Sequence, residues 1–386
     1  MLRHLPFVLA SVTLGAAAQT SRPAMEPRAA IEVHHQGALP WSGIVPVSIP
    51  WPQGGHAELH RVGIAGEVVP CEPFLRWPDG SVAVVRAWPR LRLDAGSRTT
   101  LAVRALEGAY ASASDEGVWY FDTPLPMHTV LVDPWGARFR AEFVPDEERG
   151  EGGLLLDSPR SRVRCFRSRH TNADSTNLGL RAYLRSWRGE RRASLTVLLD
   201  NDPTDEASVL GPMRFREFRL CTTDPLLRVL PRFRDEDALA PPQRNVHGGF
   251  DQVLLAPSDQ HYLGDRTAKA FRFELFLDGD AVSEVERRQA AQPRPLALPA
   301  CSWVRRTRAF GAQGGPAPSE PQAAEWTREL LGRHRSSAGY GPWADRGDPA
   351  FAAVQGTRRN EPLPLRDVLR CQSPELLRMF EARFLQ

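Results

Sequence analysis

The sequence predicts a mainly β protein: a small antiparallel β-barrel followed by a β-sandwich, with a short C-terminal helical segment. Three observations carry that reading. Short alternating apolar runs recur at roughly ten-residue spacing, Gly, Pro, Asp and Asn cluster between them, and helical spacing appears only beyond residue 318. The 386 residues are 42% hydrophobic and 25% charged, with a formal net charge of +3. Wholesale disorder does not fit such a composition. No apolar run after the N-terminus is long enough for a membrane span. Basic and acidic residues are interspersed, which argues against a nucleic-acid footprint. Lys269 is the only lysine, so chemistry needing a lysine has a single candidate.

The elements follow in order. Met1 to His4 is a short positive start, Leu5 to Leu14 is apolar, and Ala16 to Ala18 offers a cleavage site before Gln19. Residues 1–18 therefore read as a signal peptide, implying a secreted or periplasmic protein. The barrel is expected over 30–110. Ile44 to Ile49 alternates, Pro50 to Gly55 breaks it, and Ala57 to Ile64 reads as a half-buried strand turned by Ala65-Gly66. In Trp77-Pro78-Asp79-Gly80-Ser81, proline pre-sets φ and glycine supplies the positive φ that closes a hairpin. Val82 to Ala87 is the return strand, Asp94 to Ser97 another turn, and Thr99 to Val103 a further strand.

The sandwich is expected over 117–310. Its strands read as Val118–Phe121, Ala137–Phe143, Ser161–Phe166, Leu178–Trp187, Ala193–Leu199, Met213–Leu220 and Ala270–Leu277, whose alternate residues two facing sheets would bury. Gly311 to Pro318 reads as a linker. Residues 319–386 read as helical. Ser319 with Gln322 makes a capping box, and Leu376, Phe380 and Phe384 form an apolar stripe on a second helix.

Few residue sets carry chemistry. The five cysteines are far apart without a C-x-x-C, so buried free thiols are expected rather than a zinc site. His56, Glu58 and His60 would share one face of a strand, a ligating spacing, yet an exposed polar strand face accounts for them better. Asp200 to Glu206 is oxygen-rich but lacks calcium-loop spacing and reads as a solvated hairpin loop. No metal and no cofactor is expected. There is no G-x-S-x-G and no Gly-rich phosphate loop. Arg181, Arg185 and Trp187 are the candidate substrate-binding residues, because arginine forks carboxylates and tryptophan stacks on sugar faces. Trp51, Trp77 and Trp88 are expected in the barrel core or at its rim.

A family resemblance enters between Val45 and Leu101. Pro50-Trp51-Pro52-Gln53-Gly54, then Val69-Pro70-Cys71-Glu72, then Arg76 to Val82 stand in the order of three elements of the exo-rhamnogalacturonan lyase-like family. The segment resembles that family's N-terminal RIFT-type barrel, with Glu72 where a glutamine is usual. His261 to Asp280 looks like the family's closing sandwich strands. Pro295 to Gly311, with Trp303, looks like the segment that leaves them, and Tyr340 to Glu361 is more loosely similar to the start of a helical toroid. In fuller members the toroid carries the lyase chemistry, and its catalytic residues have no positions in this chain.

The resemblance implies an exported, polysaccharide-associated protein in a carbohydrate-binding or scaffold role. Its expected partners are a polysaccharide of pectic type and a separate helical-toroid chain. Two alternatives stand beside it. One is an active uronate-directed lyase working by β-elimination, with His170 and Tyr183 for proton transfer and Arg181 or Arg185 for carboxylate neutralisation. The other is a truncated gene product without an independent function.

Overall fold

The computed structural model describes residues 29–108, 117–121, 125–201, 213–231, 242–259, 261–263, 268–277, 294–309 and 325. The expected signal peptide, the linker 311–318 and the apolar stripe of Leu376, Phe380 and Phe384 lie outside them, as does the helical segment apart from Glu325.

The first part of the chain builds β1 (Ala30–His34), β2 (Trp41–Ile44), β3 (Val47–Pro50), β4 (Arg61–Ile64), β5 (Glu67–Arg76), β6 (Val82–Ala87), β7 (Arg90–Leu93) and β8 (Arg98–Ala105). The β5–β6 connection is the hairpin the sequence predicts. The Trp77 amide donates to the Ser81 carbonyl at 2.8 Å, the Gly80 amide donates to the Trp77 carbonyl at 2.9 Å, and Gly80 has φ 83°. Residues 57–60 do not continue β4 as a strand. They form a loop pinned from outside, because the Val82 amide donates to the His56 carbonyl and Arg76 donates to the Ala57 carbonyl.

The second part builds β9 (Met127–Val132), β10 (Arg138–Glu142), β11 (Leu154–Asp157), β12 (Ser161–Thr171), β13 (Thr176–Trp187), β14 (Arg192–Asp200) and β15 (Met213–Arg214). It continues through β16 (Glu217–Thr222), β17 (Arg228–Pro231), β18 (Gln243–Arg244), β19 (Phe250–Leu255), β20 (Tyr262–Leu263) and β21 (Ala268–Phe276). Most of these strands join one sheet in the order β17-β21-β14-β13-β12-β10-β9-β16-β19-β18, with β11 attached to β12. The β12–β10 junction is sparse: Arg140 pairs with Thr171, and Pro145 bridges Phe166. The sheet turns there. Its halves then share one core, with Leu180, Leu184, Val197 and Phe273 from one side and Leu131, Phe139, Phe218 and Leu220 from the other. A sandwich thus arises from a single curled sheet. Residues 118–121, expected as a strand, lie outside every strand.

The chain then returns to its start. β22 (Leu296–Pro299) pairs antiparallel with β1, placing Ile31 opposite Pro299. The first sheet is therefore ordered β22-β1-β8-β4-β5-β6-β3, and β22 lies against β3 so that the barrel nearly closes. Its interior is apolar, with Ile31, Val33, Ile49, Val62, Ile64, Val69 and Val85 buried. α1 (Cys301–Thr307) follows. Its Trp303 indole donates to the Pro50 carbonyl at 2.6 Å and meets the Trp51 ring edge-on at 5.9 Å. Residues 296–307, expected in the sandwich, thus hydrogen-bond and pack with the first sheet. The reason is non-local: β1 has a free edge, and β22 pairs with it.

Candidate functional site

Alternation along β13 sorts the predicted site residues. Leu178, Leu180, Ala182 and Leu184 point into the sandwich core. Arg181, Tyr183, Arg185 and Trp187 take the opposite, outer face. On β12 the partners of that face include Arg167, opposite Arg181, and Arg169, opposite Gly179. On β14, Asp200 stands opposite Gly179.

These residues line a cleft of about 310 Å³. Arg167, Arg169 and Arg181 form its floor with Asp200, and the loop Pro145, Asp146, Glu147 and Glu148 forms its rim. The rim is fixed by backbone: the Asp146 amide donates to the Cys165 carbonyl at 3.0 Å, and the Arg167 amide to the Val144 carbonyl at 2.8 Å. Ser168 Oγ adds a bond to the Glu142 carbonyl at 2.6 Å. Arg181 Nε lies 3.9 Å from Asp200 Oδ2, with both side chains mostly buried, and Arg167 Nη1 lies 3.4 Å from Glu148 Oε2. Gly179 makes room for this arrangement, since a Cβ there would overlap the Asp200 carboxylate. The result is a set of planar, charged hydrogen-bonding groups on rigid strands, open to solvent on one side. Such groups bind hydroxyls and carboxylates in pairs.

The two proton-transfer candidates do not meet. His170 is fully buried on the inner face, its ring 5.7 Å from that of Phe218. Its Nδ1 lies 2.7 Å from the Leu178 carbonyl and its Nε2 lies 2.9 Å from Thr129 Oγ1. Burial pushes it down to about 4. Tyr183 sits on the other face, packed with Leu198, Ala268 and Ala270. Burial raises its phenol, the neighbouring Cys165 adds to that, and the Arg181 guanidinium opposes it. A sheet separates the two, so they cannot serve one substrate.

Arg185 and Trp187 lie farther along the same outer face, towards the first sheet. Trp187 is 1% exposed and clusters with Ile44 and Trp88, with Leu156 packed alongside. The guanidinium of Arg294 covers its ring at 4.3 Å. It is a joint between the two sheets and presents no open face to a sugar. His56, Glu58 and His60 also resolve: Arg76 takes the Glu58 carboxylate at 2.7 Å, and His60 lies 3.4 Å from it. No group of three or more ligating side chains suited to a metal occurs among the described residues.

Of the residues lining this cleft, the sequence singles out Arg181 as a candidate and Asp200 only as the start of an oxygen-rich loop, and it does not mark Arg167, Arg169 or Asp146. The available signal was parity: Arg167 and Arg169 alternate on β12 as Arg181 does on β13. Pairing the two strands in register would have brought them together.

Fold and site together define a mainly β protein, a nearly closed barrel joined to a curled sandwich that bears an arginine–carboxylate cleft. No protein-family model and no curated protein matches the chain. Among solved structures it is similar to a protein in glycosyl hydrolase family 38 from Enterococcus faecalis, at 8% identity and a TM-score of 0.37. That match covers 71% of this chain and 47% of the other. It is also similar to an α-mannosidase from Enterococcus faecalis V583, at 9% identity and a TM-score of 0.32, covering 71% and 46%. The chain spans less than half the length of either protein.

Proposed function

We propose that the protein is an exported polysaccharide-binding protein that holds its glycan in the cleft on the outer face of β12, β13 and β14. The observation that carries this is the convergence of Arg167, Arg169 and Arg181 with Asp146 and Asp200 on one cleft of about 310 Å³. Guanidinium and carboxylate groups together satisfy the paired donors and acceptors of sugar hydroxyls. The resemblance of Val45 to Leu101 to exo-rhamnogalacturonan lyase-like barrels supports a pectic glycan, with a helical-toroid chain as the catalytic partner. A lyase acting alone has less support. Elimination needs a base on the same side as the neutralising arginine, whereas His170 faces the core and burial raises the Tyr183 phenol, which works against its acting as a base.

The test is affinity electrophoresis in gels containing rhamnogalacturonan. The wild-type chain is expected to be retarded. Arg167→Ala, which removes a half-exposed floor residue whose ion-pair partner Glu148 is solvent-exposed, is expected to weaken retardation about tenfold without loss of fold. No unsaturated product should accumulate when the protein alone is incubated with the polymer. Unchanged migration of the wild type, or an Arg167→Ala chain retarded as strongly as it, would rule out the cleft as the binding site.

A further inference from the structure

Where the two sheets meet, the outer face of β6 lies against the outer face of β13. The apex of this seam is the apolar cluster of Ile44, Trp88 and Trp187. One outward-facing position back along each strand, about 7 Å away, stand Arg86 and Arg185. The Arg86 guanidinium carbon lies 3.5 Å above the centroid of the Phe74 ring. Its nearest carboxylate oxygen, Glu72 Oε1, is 3.9 Å away, and its side chain makes no hydrogen bond to another described residue. Phe74 is 48% exposed, and Leu75 beside it is also exposed.

A half-buried guanidinium without a hydrogen bond is costly, because its donors have lost water and gained nothing. The stacked ring holds it still, which removes much of the entropy that binding would otherwise cost. Nearby, Arg160 is paired with Glu67 and Arg162 with Asp157, both at 2.7 Å. Burial lowers Arg86, Glu72 opposes the shift, and Arg185 across the seam adds to it. Burial likewise raises the Glu72 carboxyl, against the pull of Arg86.

We propose that this seam is a subsite for the carboxylate of an acidic sugar, with Arg86 as the fork, Arg185 opposite it, and Phe74 and Leu75 as the platform for the C–H face of the ring. Planar guanidinium against carboxylate gives a bidentate bond, and the exposed ring edge beside it suits a pyranose more than a small inorganic anion. The placement deepens the polysaccharide reading and rests on it. Outward positions on β13 run from Arg185 past Tyr183 to Arg181, about 13 Å, so one glycan chain lying along β13 reaches both the seam and the cleft.

The experiment is calorimetric titration of the full chain at low salt with trigalacturonate and with its methyl-esterified counterpart. Wild type is expected to prefer the acid. Arg86→Gln is expected to lower affinity for trigalacturonate about tenfold and to leave the ester unchanged, a difference that a folding defect would not produce. Arg86→Lys keeps the charge but loses the fork and is expected to fall between. Arg167→Ala, acting in the cleft, is expected to weaken both probes alike. Absence of trigalacturonate binding, equal binding of acid and ester by the wild type, or equal losses for both probes in Arg86→Gln would each overturn the seam subsite. If Arg167→Ala changes neither probe while Arg86→Gln keeps its charge-selective loss, the cleft reading falls and the seam subsite stands.

Discussion

His170 shows how one residue's burial decides its chemistry. A carbonyl can only accept, so the contact to Leu178 assigns the ring proton to Nδ1, and the Thr129 hydroxyl then donates to Nε2. Both nitrogens are satisfied in the neutral form, and burial disfavours the charged one. The folded value of about 4 lies below the ordinary 6.5. Between those values the unfolded chain binds the proton and the folded chain does not. The stabilisation from neutral His170 is therefore complete above pH 6.5 and is lost as pH falls towards 4, at a cost of about 3 kcal/mol when the shift is fully expressed. His170→Gln, which keeps a donor and an acceptor but does not titrate, is expected to flatten the acid limb of a plot of urea-unfolding free energy against pH. An acid limb of unchanged steepness in that variant would assign the loss to other groups.

Elements formed by neighbouring residues were the legible ones. The β5–β6 hairpin is written into Trp77 to Ser81, where Asp79 Oδ1 accepts both the Ser81 amide at 3.0 Å and the Ser81 hydroxyl at 2.6 Å. Those bonds, the hydroxyl one foremost, hold the Asp79 carboxyl below the usual carboxylate range. Gly80 is open on its Cβ side, so only its φ of 83° resists substitution. Gly80→Ala is expected to cost about 1 kcal/mol in chemical denaturation, with no change in the slope of the transition. Alternation likewise marked β12, β13, β14 and β21, whose inner faces fill the core. What the sequence hid depends on distant partners. Nothing local in Leu296 to Pro299 says that it completes a sheet begun at Ala30. Val118 to Phe121 has strand composition but forms none, and the Trp119 ring there is covered by Arg162 at 4.4 Å. The site was half legible for the same reason. Arg181 and Arg185 stand out on one strand, whereas Asp146 and Asp200 reach the cleft from a loop and a neighbouring strand. His170 and Tyr183 looked like a pair until the sheet placed them on opposite faces.

At the scale of the whole molecule, the joint at Trp187 decides whether the barrel and the sandwich unfold as one unit. Trp187 contributes a fully buried indole to a cluster whose other members, Ile44 on β2 and Trp88 just after β6, come from the first part of the chain. Around it, Arg160 bonds Glu67 at 2.7 Å and the Trp88 carbonyl at 3.3 Å. Arg192 lies 5.0 Å above the Trp41 ring, and Gly43 leaves space for it, since a Cβ there would come within 2.7 Å of the Arg192 guanidinium. Glu274 holds Arg294 over Trp187 through two 2.8 Å bonds. Removing the indole takes away the ring under Arg294 and opens a cavity at the apex of the seam. Trp187→Ala is therefore expected to destabilise the chain by about 3–5 kcal/mol. The loss should fall on the contact between sheets more than on either interior, because the barrel interior and the sandwich interior form separate apolar clusters. Scanning calorimetry is then expected to resolve two transitions where the wild type shows one. Trp187→Phe, which keeps a ring for Arg294, should restore the single transition at a lower midpoint. If Trp187→Ala instead melts in one transition shifted downward as a whole, coupling between the sheets resides in the return strand β22 and not in the aromatic joint.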